Sequence, residues 1–131
     1  AVDTPIAADE EVTSLDAALA LIEARAVQVV VVKPQVVGGL AAALRVYTAA
    51  QAAGIHCVVT SSIETGIGVA AALHLAASMP GAPAAGLATL PMLAESLIEP
   101  PGLPVVRGSM AVPSAPGLGV RCTLAMGDRS E

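Results

Sequence analysis

The sequence contains no phenylalanine and no tryptophan, and its one tyrosine is Tyr47. An aromatic core is thereby excluded. Alanine and valine dominate, so the interior must be aliphatic, and because each small side chain buries little area, the total must come from many contacts. Basic residues are scarce as well: six Lys and Arg stand against eleven Asp and Glu, for a net charge of −5. The six (Arg25, Lys33, Arg45, Arg107, Arg121, Arg129) are scattered along the chain, which argues against nucleic acid as a partner, since that binding rests on clustered cations. Charge of either sign is thin, at 13% against 55% hydrophobic residues, so disorder is not expected and a packed core is. Two cysteines, Cys57 and Cys122, give no disulfide framework and fit reduced cytosolic thiols.

No long uninterrupted apolar run is present either. Residues 65–94 carry no Asp, Glu, Lys or Arg, but Gly66, Gly68, Pro80, Gly81, Pro83 and Gly86 interrupt them. The apolar pieces between these breaks fall short of the ~20 residues that a membrane span needs. The first charges are acidic, unlike those of a signal peptide. A soluble, cytoplasmic protein with no membrane partner is expected. At 131 residues the chain suffices for one domain with a modest core.

What is present is an alternation of short apolar runs with longer amphipathic ones. Pro5 to Ala8 reads as a short strand. Thr13 opens a helix, with Asp16 as its capping-box partner and Leu15, Leu19 and Ile22 at helical spacing. Val27 to Val32 is a β-branched run typical of a strand buried on both faces. Pro34 ends it, and Gly38-Gly39 precede a second helix with Leu40, Leu44 and Tyr47 on one stripe, capped by Gly54. Ile55 to Thr60 is the next strand and Gly66 to Ser78 the next helix. Ala84 to Ala88 reads as a weaker fourth strand, Pro91 to Ile98 as a short helix, and Val105-Val106 and Val120 to Ala125 as strand-like pieces of a Pro- and Gly-rich tail. About four strand–helix units of this kind require parallel strands covered by helices. They fit a small doubly wound sheet or half of a barrel. The barrel is favoured because Asp9-Glu10, Lys33 and Ser61-Ser62-Ile63-Glu64 all fall at the carboxyl ends of successive strands, where barrel enzymes carry their chemistry. No Gly-rich fingerprint follows the first strand, as a doubly wound sheet would usually show.

Lys33 closes a buried strand. It either reaches to solvent or is an amine held in a site, acting as acid, base or cation. Asp9 and Glu10 point in different directions from a strand end. They either favour the start of the following helix or offer oxygen to a hard cation such as Mg2+. Ser61, Ser62 and Glu64 approach a helix start, where they serve as simple caps or bind a carboxylate group of a ligand. His56 and His74 have no partner at metal-ligand spacing, so zinc is not expected.

Taken together, Pro-Ile-Ala-Ala-Asp-Glu, Val-Val-Lys-Pro with Gly38-Gly39, Thr-Ser-Ser-Ile-Glu with Gly66 and Gly68, and Gly-Leu-Ala-Thr-Leu resemble the enolase superfamily, muconate-lactonizing subgroup. The Lys-Pro…Gly-Gly and Ser-Ser-Ile-Glu pieces are most similar to the o-succinylbenzoate synthases of menaquinone biosynthesis, and residues 112–120 resemble the subgroup's C-terminus. The resemblance implies the C-terminal half of a (β/α)7β TIM-like barrel, with outer helices, parallel strands and an irregular tail. Residues 1–98 would be the partial barrel, and 99–131 a tail packing on the barrel and its capping domain. It implies Mg2+-dependent dehydration of a small-molecule carboxylate through an enediolate, with Asp9 as metal ligand, Lys33 as the catalytic lysine that stabilises the anion, and Ser61, Ser62 and Glu64 near the substrate's far end or the lysine network. The subgroup's Lys-x-Lys and its other metal carboxylates have no counterpart here. The chain is therefore expected to be inactive alone and to need a missing N-terminal portion or self-association. Ala88 stands where many of these synthases have Asp. N-succinylamino-acid racemase, dipeptide epimerase and muconate cycloisomerase activities stay open, as does a non-catalytic half-barrel that serves as an assembly partner.

Overall fold

The computed structural model describes residues 3–123. Its frame is a parallel sheet of β1 (Ala7–Ala8), β2 (Val29–Val32) and β3 (His56–Val59), in that order. Ala7 pairs with Val29, and Val29 to Val32 pair with His56 to Val59 in step. A single parallel bridge, Thr60 to Gly86, adds one more segment beside β3. The expected fourth strand over Ala84–Ala88 is reduced to this contact. Alanine and glycine offer little side-chain surface to hold a pleated strand.

Outside the sheet lie α1 (Leu15–Glu23), the short α2 (Pro34–Val37), α3 (Leu40–Ala53) and α4 (Gly66–Ala77). Ser14, rather than Thr13, caps α1, its hydroxyl accepting from Ala17 N–H at 3.1 Å. Pro34 both ends β2 and begins α2, as its fixed φ and missing N–H allow. Gly54 closes α3 in the left-handed conformation with φ of 73°, which a side chain would resist. The buried stripe of α3 is Ala43, Val46, Tyr47 and Ala50, while Leu40 and Leu44 are exposed. Small residues face the sheet because they let the helix approach it closely, which displaces the leucines outward. No helix spans Pro91–Ile98; a 3-10 turn over Leu90–Met92 stands there, with Pro91 supplying no N–H. Val105–Val106 (β4) pairs antiparallel with Ser109–Met110 (β5). From the expected piece at Val120–Ala125, Cys122 bridges Ile98, and the residues from Leu124 on lie outside those described.

The sheet has one covered face. Val30 and Val32 are wholly buried against the helices, whereas Val29 and Val31 are half-buried. Cys57 and Val59 are buried in β3, and His56 is exposed. The expectation that β2 is buried on both faces therefore holds for the helix side alone. A barrel interior is filled by side chains from all around the ring, and among the described residues the parallel sheet contributes three strands to it.

Tyr47, the one aromatic residue, ties α3 to the loop after α4. Its hydroxyl donates to Pro80 C=O at 2.6 Å and accepts from Gln51 Nε2 at 2.9 Å. Tyr47→Phe removes both hydrogen bonds of this part-buried hydroxyl, and a loss of about 1 kcal/mol is expected, read as an earlier urea midpoint with an unchanged slope.

Candidate active site

Pro34 decides where Lys33 stands. The residue before a proline is pushed away from the helical region, and Lys33 has φ −107° and ψ 105°. It therefore continues β2 by one more extended residue. Alternation along β2 then puts it on the face of Val29 and Val31, the open one, and not on the helix face of Val30 and Val32. Asp9 follows β1 directly and shares the face of Ala7 by the same rule. The two meet: Lys33 Nζ donates to Asp9 Oδ1 and, at 3.2 Å, to Glu10 Oε1. Their side chains are 17%, 48% and 91% exposed in the order Lys33, Asp9, Glu10. The lysine is thus sheltered, while Glu10 lies almost wholly in solvent, where an ion pair contributes little. The Asp9 hydrogen bond is the chief cause that holds the Lys33 pKa above its ordinary 10.5; burial works against it and Glu10 adds to it. Lys33 is accordingly a fixed cation at neutral pH.

A cleft of about 300 Å³ opens here, lined by Asp9, Glu10, Lys33 and Val36 on one side and by Ser61, Ser62 and Ile63 on the other. Ser61 is buried, and its hydroxyl is engaged with Thr89 Oγ1 at 2.7 Å and Gly86 C=O at 3.4 Å. Through these contacts it anchors the neighbouring segment while lining the cleft. Glu64 is not in this cleft. It lines an adjoining hollow of about 540 Å³ with Gln35, Thr65, Ile67 and Glu95. Its Oε1 accepts from Ser62 N–H at 3.2 Å. The structure therefore brings Asp9, Lys33, Ser61 and Ser62 around one space and leaves Glu64 beside it.

Two features were not read from the sequence. Thr60 Oγ1 is buried with no hydrogen-bond partner among the described residues, one position along from Val59, the partner of Val32. Ile63 has φ of 52°, which costs on the order of 1–3 kcal/mol. Nothing in the local residue pattern marks either, because one depends on register and the other on a side chain folding back.

Among the described residues, no three of His, Cys, Asp and Glu gather where they could hold one metal ion. Asp9 and Glu10 carry the hard oxygen donors that Mg2+ takes, but both face the Lys33 ammonium, and Mg2+ demands near-octahedral oxygen geometry. The described residues do not by themselves fit a magnesium site. Among them, too, no helix is long and apolar enough to cross a membrane.

A family model described as enolase C-terminal domain-like matches residues 1–125. The o-succinylbenzoate synthase of Thermobifida fusca (strain YX) is 45% identical over 105 residues, covering 79% of this chain and 32% of that protein. The L-Ala-D/L-Glu epimerase of Bacillus subtilis (strain 168) is 32% identical over 120 residues, covering 92% and 32%. Among solved structures, muconate lactonizing enzyme from Pseudomonas putida superposes with a TM-score of 0.84 at 28% identity, over 91% of this chain and 33% of that one. The chain thus spans about a third of the length of these relatives.

The site's surroundings set an alkaline limit on stability. Burial behind β3 pushes the Cys57 thiol up from 9.0 to about 11. Between those values the unfolded chain releases a proton that the folded chain keeps, so stability falls as pH rises. The Lys33 contribution is full below pH 10.5 and is lost as pH climbs through its raised folded value. Urea melts from neutral to alkaline pH should show both losses, with Cys57→Ala removing the lower part and Lys33→Met the upper. An unchanged profile in Cys57→Ala would contradict the burial of that thiol.

Proposed function

The chain belongs to the enolase C-terminal domain-like family, and on that footing we propose that it supplies the carboxyl-terminal part of an enolase-superfamily active site acting on a small carboxylate in the cytoplasm. The reading that fits best is a carbon–oxygen lyase: dehydration of a hydroxycyclohexadiene carboxylate to o-succinylbenzoate, a step toward menaquinone. The observation that carries it is the sheltered Lys33 held beside Asp9 on the open face of the sheet. The 45% identity to an o-succinylbenzoate synthase supports the choice of reaction.

Removal of a proton α to a carboxylate builds negative charge on that carboxylate. Lys33 is suited to face this charge as a cation, because a preorganised ammonium in a partly desolvated cleft stabilises developing charge without reorganising. It is ill suited to remove the proton, since a general base works best with a pKa near the working pH, whereas Lys33 is raised by Asp9 from an already alkaline 10.5. The proton acceptor must therefore come from outside these residues. So must most of a magnesium site, to which Asp9 would add one carboxylate oxygen; Mg2+, when bound there, would supply further positive charge to the substrate carboxylate. Ser62 lines the same cleft and is placed to meet the far end of the substrate.

In this reading residues 1–98 form the partial barrel and 99–131 the tail that packs on barrel and cap. The open face and the edges of the sheet are covered by the remaining barrel units or by a second copy, because unpaired strand edges invite pairing. A second reading, epimerisation of a dipeptide-like substrate, is favoured by the 32% identity to the epimerase over 92% of the chain. It shares the α-proton step and uses the same Lys33.

Three outcomes are expected. The chain alone shows no dehydration. It forms dimers or binds the rest of the barrel in light scattering over a concentration series. Within the assembled enzyme Lys33→Ala lowers kcat by about 10²–10³-fold, as loss of one oxyanion-stabilising group does. Turnover by the isolated chain would refute the proposal, and product analysis separates dehydration from epimerisation. An assembled barrel with neither activity would mark a non-catalytic partner.

A further inference from the structure

The turn after β3 carries a strained residue that the pairing of Asp9 with Lys33 does not explain. Ile63 is β-branched, has φ of 52° and remains 57% exposed. Such a backbone persists only where its neighbours over-determine it. Here the neighbours are Glu64 and Gly68. Ser62 N–H donates to Glu64 Oε1 at 3.2 Å, so side chain and backbone close a ring around Ile63. Glu64 Oε2 lies against Gly68 in the first turn of α4. A Cβ there would overlap that oxygen and come within 2.9 Å of Glu64 Cδ and Cγ. The carboxylate thus rests at the positive end of a twelve-residue helix. Held this way, Ile63 lines both the Asp9–Lys33 cleft and the adjoining hollow. It is the apolar partition between them.

Resting on the reading of Lys33 given above, we propose that Glu64 is a positioning residue that holds Ile63 as the apolar wall against which the non-carboxylate part of the substrate lies, while the substrate carboxylate meets Lys33. A direct role for Glu64 is disfavoured because it stands outside the Lys33 cleft and would repel an anionic substrate at close range. Gly68 belongs to the same device. A methyl at that position meets the end of a flexible side chain, so the carboxylate yields and the helix does not.

In the isotopically labelled full chain, with no substrate present, Glu64→Ala should move the Ile63 Cα and Cβ resonances away from left-handed values. Gly68→Ala should do the same. Glu64→Gln should restore them, since its amide oxygen accepts the same Ser62 N–H. Ile63→Gly, which accepts a positive φ without strain, should raise the melting temperature. In the assembled enzyme Glu64→Ala should raise KM about tenfold with a smaller change in kcat, the pattern of lost binding that is uniform along the reaction. Ile63 resonances that stay in place in Glu64→Ala overturn the proposal, and so does a fall in kcat with KM intact. Lys33→Ala in the same assay judges the underlying reading by itself: turnover that survives it removes the role of Lys33, whereas the Ile63 resonances test the tether without reference to any reaction.

Discussion

The parallel register of β2 with its two neighbours governs what the rest of this chain can do. Because Val29 to Val32 pair in step with His56 to Val59, and side chains alternate along each strand, the residues divide into two sets. Val30, Val32, Cys57 and Val59 turn to the helices and are buried. Val29, Val31 and Lys33 turn to the other side, where the cover is partial. A slip of one residue would exchange the sets. Lys33 would then be driven among aliphatic side chains, where an unpaired ammonium is prohibitively costly, and Val32 would face the cleft.

The cleft is therefore a by-product of core packing. The helix-side valines fix the register, Pro34 extends it by one residue, and Lys33 arrives beside Asp9 with no further device. The pair then settles its own electrostatics. Asp9 keeps the ammonium charged, and partial shelter from water strengthens the contact relative to one at the open surface. A barrel mouth is well served by this arrangement, since the chemistry can change with the residues beyond the strand ends while the packing beneath stays as it is.

The turn after β3 works by a different principle. There a carboxylate folds back on its own helix and holds a strained isoleucine, so local hydrogen bonding sets the geometry and not the sheet. The two sides of the mouth thus differ in kind. One is positioned by register and charge, the other by a side chain seated over a glycine. Ser61 lines this second side as well, and its buried hydroxyl anchors the segment around Gly86 and Thr89.

The order of strands and helices, their parallel pairing and the placing of Asp9 and Lys33 at strand ends were legible in the residues, because β-branched runs, a proline and glycine caps act locally. Local signals also misled. Leu40 and Leu44 read as a core stripe on hydrophobicity, yet Ala43 and Ala50 took the buried positions, since closeness of approach outweighed side-chain size there. The weak fourth strand and the helix over Pro91–Ile98 failed where alanine, glycine and proline gave the backbone too little to hold it. The three paired parallel strands, the helices between them and the residues at their ends follow from steric and capping preferences within a few positions. Which side chains face one another, that Glu64 stands outside the cleft, and that Ile63 is strained between two hollows were decided only by tertiary structure. Those relations join residues brought together by sheet register and helix packing, and neither is written in any short stretch of the chain.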